Sequence, residues 1–350
     1  GYSEKGYNEF KYSQLVARKL NMKHKIFKSN VTSYFTNMKK LISIRNHPLT
    51  IPNEVSQYEL CKSIKKHATV VLSGCGADEL FCGYGRIFSS VDDYNKIKNL
   101  KEDEVRKKFL KNVKLRYGKV DFKNYLDHFL SIYPYTNMHL KKKILNKKFD
   151  HKKIEKNIIS FFKKIFNEVK LNNYSAKMQF FFQKFHLKGI LEREDISSMA
   201  ASTELRVPFL DHRIIEFAAT IPLKYKISTK KKSEELTSDK TSEVYDVTKY
   251  ILRRSFENKI PKAILNRKKI GFPIPLHDWL KNKEIKKKIV STLMSKSCKK
   301  RGIFDNENLA ILIKDISFDK FLGDSRVYQN SLSTKIWMCF NLETFFQDHD

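Results

Sequence analysis

Residues 68–84 read ATVVLSGCGADELFCGY, and the order of residue types in this stretch decides the fold. The run 68–72 is continuously apolar, without polar alternation, as in a strand buried in a parallel sheet. A glycine-rich turn follows at once. In an open α/β sheet the ligand crevice lies outside the carboxyl ends of the strands, so this turn is expected to face a ligand. Gly74 and Gly76 permit close backbone approach or positive φ. Asp78 and Glu79 add carboxylate oxygens of the kind that hold magnesium across phosphates. The plainer alternative is a glycine turn in which Asp78 caps the next helix. Local sequence leaves both open.

Outward from this stretch, residues 8–20 carry Tyr12, Leu15, Val16 and Leu20 at helical spacing, and HKIFKS from His24 suits a short strand. A helix is predicted after Pro52, with Val55, Tyr58, Cys61 and Ile64 on one face. Beyond residue 90 lysine-rich amphipathic segments such as KEDEVRKKFLKNVKLR and KKIEKNIISFFKKIFNEVK predict helices. The polar stretch STKKKSEELTSDKTSE, 228–243, reads as a mobile loop. Leu332, Ile336, Cys339 and Phe340 predict a core-facing stripe on the last helix. The fold class expected is α/β, with an incomplete α/β nucleotide-binding part over 1–88 and a mainly helical remainder over 89–350.

The 350 residues suffice for a substantial core, and 26 Phe and 16 Tyr supply apolar material. Lys plus Arg number 69 against 38 Asp plus Glu, a net charge of +31. Such charge favours anionic partners in general. Here, however, lysine is scattered along the whole chain with Asn, Ile and Phe, as a base-composition bias would produce, and no nucleic-acid partner is expected. Cys61, Cys75, Cys82, Cys298 and Cys339 form no CxxC pair, which fits a reducing cytoplasm. No apolar run approaches the roughly 18–20 residues that span a bilayer, so no membrane partner is expected.

Two further segments complete the pattern. LEREDISSMAASTELRVPFLD, 191–211, and KYILRRSFENKIPKAILNRKKIGFPIPLHDWL, 249–280, follow SGCGADELFCGY in the order found in asparagine synthetases, and the tail GIFDNENL…KIWMCFNLETFF fits the same family. The chain therefore resembles the synthetase domain of glutamine-hydrolysing asparagine synthetases. The resemblance implies a PP-loop ATP pyrophosphatase fold (adenine nucleotide alpha hydrolase-like), with a parallel sheet and a large helical C-terminal part. It also implies ATP and Mg2+ as cofactors, and a reaction in which aspartate is adenylated and ammonia then displaces AMP. Ammonia would come from glutamine through a glutaminase domain of the full-length chain, and a homodimer is compatible with the family.

By position, the resemblance places Leu72, Ser73, Gly74 and Asp78 at ATP, with Asp78 near magnesium. Lys269, Cys75 and Glu204 are the catalytic candidates, Lys269 stabilising phosphate charge. Arg206, Arg193 and Asp195 are expected around the substrate pocket. Family loops usually carry Glu or Asp where Cys75 stands, and a basic residue where Ile196 stands. The phosphate-cradling SGGxDS turn that precedes this region in relatives is not in the sequence, and residue 1 is Gly. A fragment of a longer protein is expected, with a truncated pseudoenzyme as the lesser reading. Related amidotransferases of polysaccharide or peptide pathways, or a catalytically silent basic binding protein, are the alternatives in function.

Overall fold

The computed structural model describes residues 1–101, 103–134, 138–170, 172–231, 233–314 and 332–349. Glu102 and Lys232, each inside a segment discussed above, lie outside them. The chain is α/β and mostly helical, with two small sheets among the described residues. Strand β1 (Val70–Leu72) runs parallel to β2 (Glu204–Arg206), Val70 opposite Glu204 and Leu72 opposite Arg206. Glu204 N donates to Thr69 O at 2.7 Å and Ser73 N to Arg206 O at 2.7 Å, extending the pairing at both ends.

The expected strand and its parallel partner are therefore present, but the expected burial is not. Val70 is 41% and Leu72 74% exposed. Both strands alternate exposed, half-buried, exposed. Helix Leu187–Met199 packs against β2 and against helix Asn53–Ile64, and successive strand residues point to opposite sheet faces, so alternate residues are left facing solvent.

Helices Phe10–Lys19 and Asn53–Ile64 form where predicted. Glu104–Tyr117 and His151–Glu168 are capped by Asp103 and Asp150, whose side chains accept from Arg106 N and Lys153 N. HKIFKS is not a strand. Four of its six residues are exposed, and only its last residue, the buried Ser29, forms a bridge, with Tyr2.

The largest core joins both ends of the chain: Tyr2, Tyr34, Phe35, Trp279, Trp337 and Phe340 are all at most 4% exposed. Ile336, Cys339 and Phe340 of the final helix face it, with Leu332 at its margin. Asn341 accepts from Leu49 N at 3.0 Å and donates to Leu49 O at 2.8 Å, which ties that helix to the N-terminal segment. A second core is dominated by aromatic rings, among them Phe109, Phe129, Phe181 and Phe182.

The polar stretch 228–243 is the other correction. Its start, β3 (Ile227–Thr229), pairs antiparallel with β4 (Asp246–Thr248), and Ser238–Thr241 is a helical turn with Thr237 and Ser238 buried. The buried Asp93 carboxylate accepts from Ser238 N at 2.9 and 3.0 Å, from the Tyr117 hydroxyl at 2.6 Å and from Arg116 Nη1 at 2.8 Å. Hydrogen bonds hold this segment where apolar burial cannot, which composition alone does not show. All five cysteines are free. Among the described residues, no helix is long and apolar enough to cross a membrane.

Arg45 and Glu54 form an ion pair whose side chains are 2% and 1% exposed. Glu54 also accepts from Thr50 N at 2.7 Å and Ile51 N at 3.1 Å, so its charge is satisfied from both sides. Arg45→Ala is expected to lower unfolding free energy in urea by about 3–5 kcal/mol, the usual effect of stranding a buried charge. The Arg45→Ala/Glu54→Ala double variant should lose less than the sum of the single losses. Additive losses would show that the two groups do not depend on one another.

Candidate active site

Strand β1 delivers Ser73, whose backbone is fixed on Arg206, to the start of the glycine turn. Gly76 sits at φ +92°, and the Leu210 side chain occupies the space a methyl there would need. Gly74 faces open space. The two glycines thus serve different ends: Gly76 makes the turn, and Gly74 leaves the approach clear. Helix Ala77–Leu80 follows, anchored by Leu80 and Phe81 against Ala218 and Ile221.

Asp78 does not cap this helix. It lies inside it, and the N-cap position belongs to Gly76, which has no side chain to offer. The carboxylate turns instead to two ammonium groups: Oδ1 lies 2.8 Å from Lys249 Nζ, and Oδ2 is ion-paired with Lys269 Nζ. Asp78 and Lys269 are 191 positions apart, and the fold brings the two predicted residues into contact. Burial alone would raise the Asp78 pKa, but Lys269 and Lys249 together hold it below the usual carboxylate range.

Lys269 is gripped along its length. Its backbone N donates to Glu243 Oε2 at 3.0 Å, and its ammonium lies 5.0 Å from the centre of the Tyr84 ring. Glu243 is paired in turn with Arg253 at 3.3 Å. Both Glu243 (φ 61°) and Lys249 (φ 52°) hold the left-handed conformation, a local strain that gathers where side chains must be aimed. The Tyr84 hydroxyl donates to Glu79 Oε1 at 2.5 Å, and burial raises the pKa of Glu79. Lys269 and Lys249 keep 27% and 24% of their side chains exposed. Two half-exposed cations beside an open turn form a place where an anion can compete with Asp78 for their charge.

On the other side of the turn, the Ser73 hydroxyl donates to Glu194 Oε2 at 3.1 Å and accepts from Cys75 N at 3.2 Å. Burial, reinforced by the charges of Glu194 and Glu79, pushes the Cys75 thiol up to about 12. At neutral pH it is an uncharged thiol, so it is no ready nucleophile. Glu194 is itself raised above the usual carboxylate range by burial.

The other predicted residues lie further off. Glu204 and Arg206 are paired with each other at 2.7 Å on the exposed side of β2, and the described contacts join Arg206 to the turn through its carbonyl. Arg193 is half-buried, and its charge helps to hold the His186 imidazole down at about 4, burial being the larger cause. Asp195 is exposed, and its carbonyl accepts from the Ser198 hydroxyl at 3.1 Å. Ile196 packs against the largest core, a role in which an apolar side chain fits well. Leu72 presents its side chain to solvent beside the turn.

Sequence reasoning passed over Lys249, Glu243, Tyr84 and Glu194. Lys249, Tyr84 and Glu194 stand inside the three quoted segments, which was the available signal. For magnesium, the described residues offer a poor protein-only site. Asp78 is neutralised by two ammonium groups, and among those residues no three His, Cys, Asp or Glu side chains come together to hold a metal.

Gly83 lies against this cluster: its N donates to Asp78 O at 2.8 Å, and a methyl at Gly83 would overlap Asp78 Oδ1. Gly83→Ala is expected to destabilise the fold by about 1–3 kcal/mol in urea unfolding, the usual scale of overpacking. Part of that loss should vanish in an Asp78→Ala background, which removes the carboxyl but leaves the Asp78 Cα 2.9 Å from the added methyl. An equal loss in both backgrounds would place the clash elsewhere.

The family profile described as asparagine synthase matches residues 1–345. Asparagine synthetase [glutamine-hydrolyzing] 1 of Bacillus subtilis (strain 168) is 28% identical over 354 residues, covering 98% of this chain and 52% of the relative. A putative asparagine synthetase of Mycobacterium tuberculosis (strain ATCC 25618 / H37Rv) is 25% identical over 299 residues, covering 81% of this chain and 42% of the relative. A putative asparagine synthetase of Methanocaldococcus jannaschii is 55% identical over a short stretch of 38 residues, 11% of this chain and 7% of the relative. The chain spans about half the length of the first two relatives. With nearly its whole length matched and its segments in order, the chain belongs to the asparagine synthase family.

Proposed function

We propose that this chain is the synthetase part of an ATP-dependent carbon–nitrogen ligase that adenylates the side-chain carboxylate of aspartate and joins it to ammonia, giving asparagine, AMP and pyrophosphate. The observation that carries this reading is the meeting of Lys269, Lys249 and Asp78 beside the SGCG turn, at the carboxyl end of β1. A carboxylate is a poor electrophile until one oxygen becomes part of a good leaving group, and adenylation supplies that group. The charge that develops on the phosphates calls for fixed cations. Lys269 is the first candidate, held by Glu243 at its backbone and by Tyr84 and Asp78 at its ammonium.

In this reading Asp78 keeps both lysines aimed at the turn and gives them up to the incoming phosphates. Ser73, Gly74 and Leu72 border the nucleotide, with Gly74 leaving backbone and space clear. Glu204 and Arg206 present a paired charge on the exposed side of β2, where a zwitterionic amino acid finds both signs. Arg193 and Asp195 line the same helix nearby. The described residues build no protein-only magnesium site at the turn, and the fixed cations of this reading are the two lysines. The PP-loop fold, ammonia from a glutaminase domain and a homodimeric assembly belong to the same proposal. So does the division into an α/β part (1–88) and a helical remainder (89–350) of one synthetase unit.

Lys269→Ala in the full-length protein is expected to lower aspartate-dependent pyrophosphate release by about 100- to 1,000-fold, the usual effect of removing one electrostatic stabiliser. The apparent affinity for aspartate should change far less. A rate within about threefold of the parent would exclude Lys269 from the site.

A further inference from the structure

The geometry points to Glu194 as the proton acceptor for the attacking amine in the amide-forming half of the reaction. This rests on the proposed two-step chemistry and adds to it a residue for the second step. Four other acidic or thiol groups come into question, and each has a different commitment. Asp78 is held between Lys249 and Lys269. Glu79 is 1% exposed and receives the Tyr84 hydroxyl at 2.5 Å. Glu204 is on the outer side of β2, paired with Arg206. Cys75 stays protonated up to about 12.

Glu194 differs from all four. It reaches the turn from helix Leu187–Met199, 121 positions from Ser73, and accepts from the Ser73 hydroxyl at 3.1 Å. The Ser73 hydroxyl is a neutral donor on the turn itself, so it orients the carboxylate without neutralising it, while the adjacent Arg193 acts on it through charge. Gly74, between Ser73 and Cys75, has open space before it, which leaves room for a small nucleophile. Burial raises the carboxyl's pKa, which makes the carboxylate a stronger base than an exposed one.

The nitrogen lone pair of ammonia attacks the acyl carbon of the adenylate and forms the C–N bond. The C–O bond to AMP breaks, its electron pair leaving on the phosphate oxygen. The surplus N–H proton passes to the Glu194 carboxylate and then to solvent.

The test separates the two half-reactions in the full-length protein. Glu194→Gln is expected to leave aspartate-dependent ATP–pyrophosphate exchange within about threefold, while ammonia-dependent amide formation falls by about 100-fold or more, the usual contribution of a general base. Its rising pH limb should flatten, and Glu194→Asp should restore part of the rate. Equal losses in exchange and amide formation would show that Glu194 only shapes the turn, and an unchanged amide rate would show that it takes no proton; either result overturns the assignment. A parent protein without exchange would overturn the adenylation reading, and this assignment with it. In the same variants, alkylation of Cys75 at fixed pH should quicken in Glu194→Gln, since a neighbouring negative charge is gone; an unchanged rate would show that no charged Glu194 faces the turn and would overturn the assignment.

Discussion

Everything at the candidate site depends on six residues of parallel pairing, β1 on β2. The register puts Leu72 opposite Arg206, and the next backbone bond, Ser73 N to Arg206 O, fixes where the chain leaves the sheet. From that point the turn has little freedom. Gly76 takes positive φ and Leu210 fills the space a side chain there would need, so glycine is the residue that fits, and helix Ala77–Leu80 is pinned by its own apolar residues. A one-residue slip would move Ser73 off Arg206 and turn the strand's side chains to the other face. So a short ladder, weak by itself, acts as the datum for side chains that come from four separate stretches of the chain.

Charge is organised locally rather than globally. The net +31 is spread along the sequence, yet at the turn the lysines are matched by carboxylates: Asp78 on Lys249 and Lys269, Glu243 on Arg253 and on the Lys269 backbone. An ammonium ion is a compact charge on a flexible stem, and without a partner its direction is undefined. The acidic residues supply direction, and the low surrounding dielectric strengthens each contact. The arrangement is a set of aimed cations that stay stable before any ligand arrives.

How much of this could be read in the sequence follows from which physics is local. The apolar run at 68–72, the glycine turn and the helices around Val55 and Phe109 are set by patterns within one element, and the structure has them. The burial of β1 was misjudged because it depends on what lies against the other sheet face, not on the run itself. Asp78 and Lys269 were legible as a pair of candidates through the resemblance, but their mutual contact was not, since 191 positions separate them. Glu194 is hidden for a similar reason: it stands between Arg193 and Asp195 on one helix, and only helix rotation decides which of the three meets Ser73. HKIFKS failed as a strand because alternation predicts an element only where a neighbour is available to bond it.

The polar segment from Ile227 to Thr248 has a thermodynamic consequence of its own. It is held on the body of the protein by Asp93, Arg116, Ser238 and Asp246 and buries little hydrocarbon. Detaching apolar surface raises heat capacity, whereas detaching polar surface lowers it. Opening this segment alone should therefore carry a heat-capacity change near zero or negative, while opening the aromatic cores carries the usual large positive one. The two parts then have stability curves of different shape. On warming, the polar clasp loosens along a nearly straight line while the cores follow a dome, so the balance between local opening and global unfolding is itself a function of temperature.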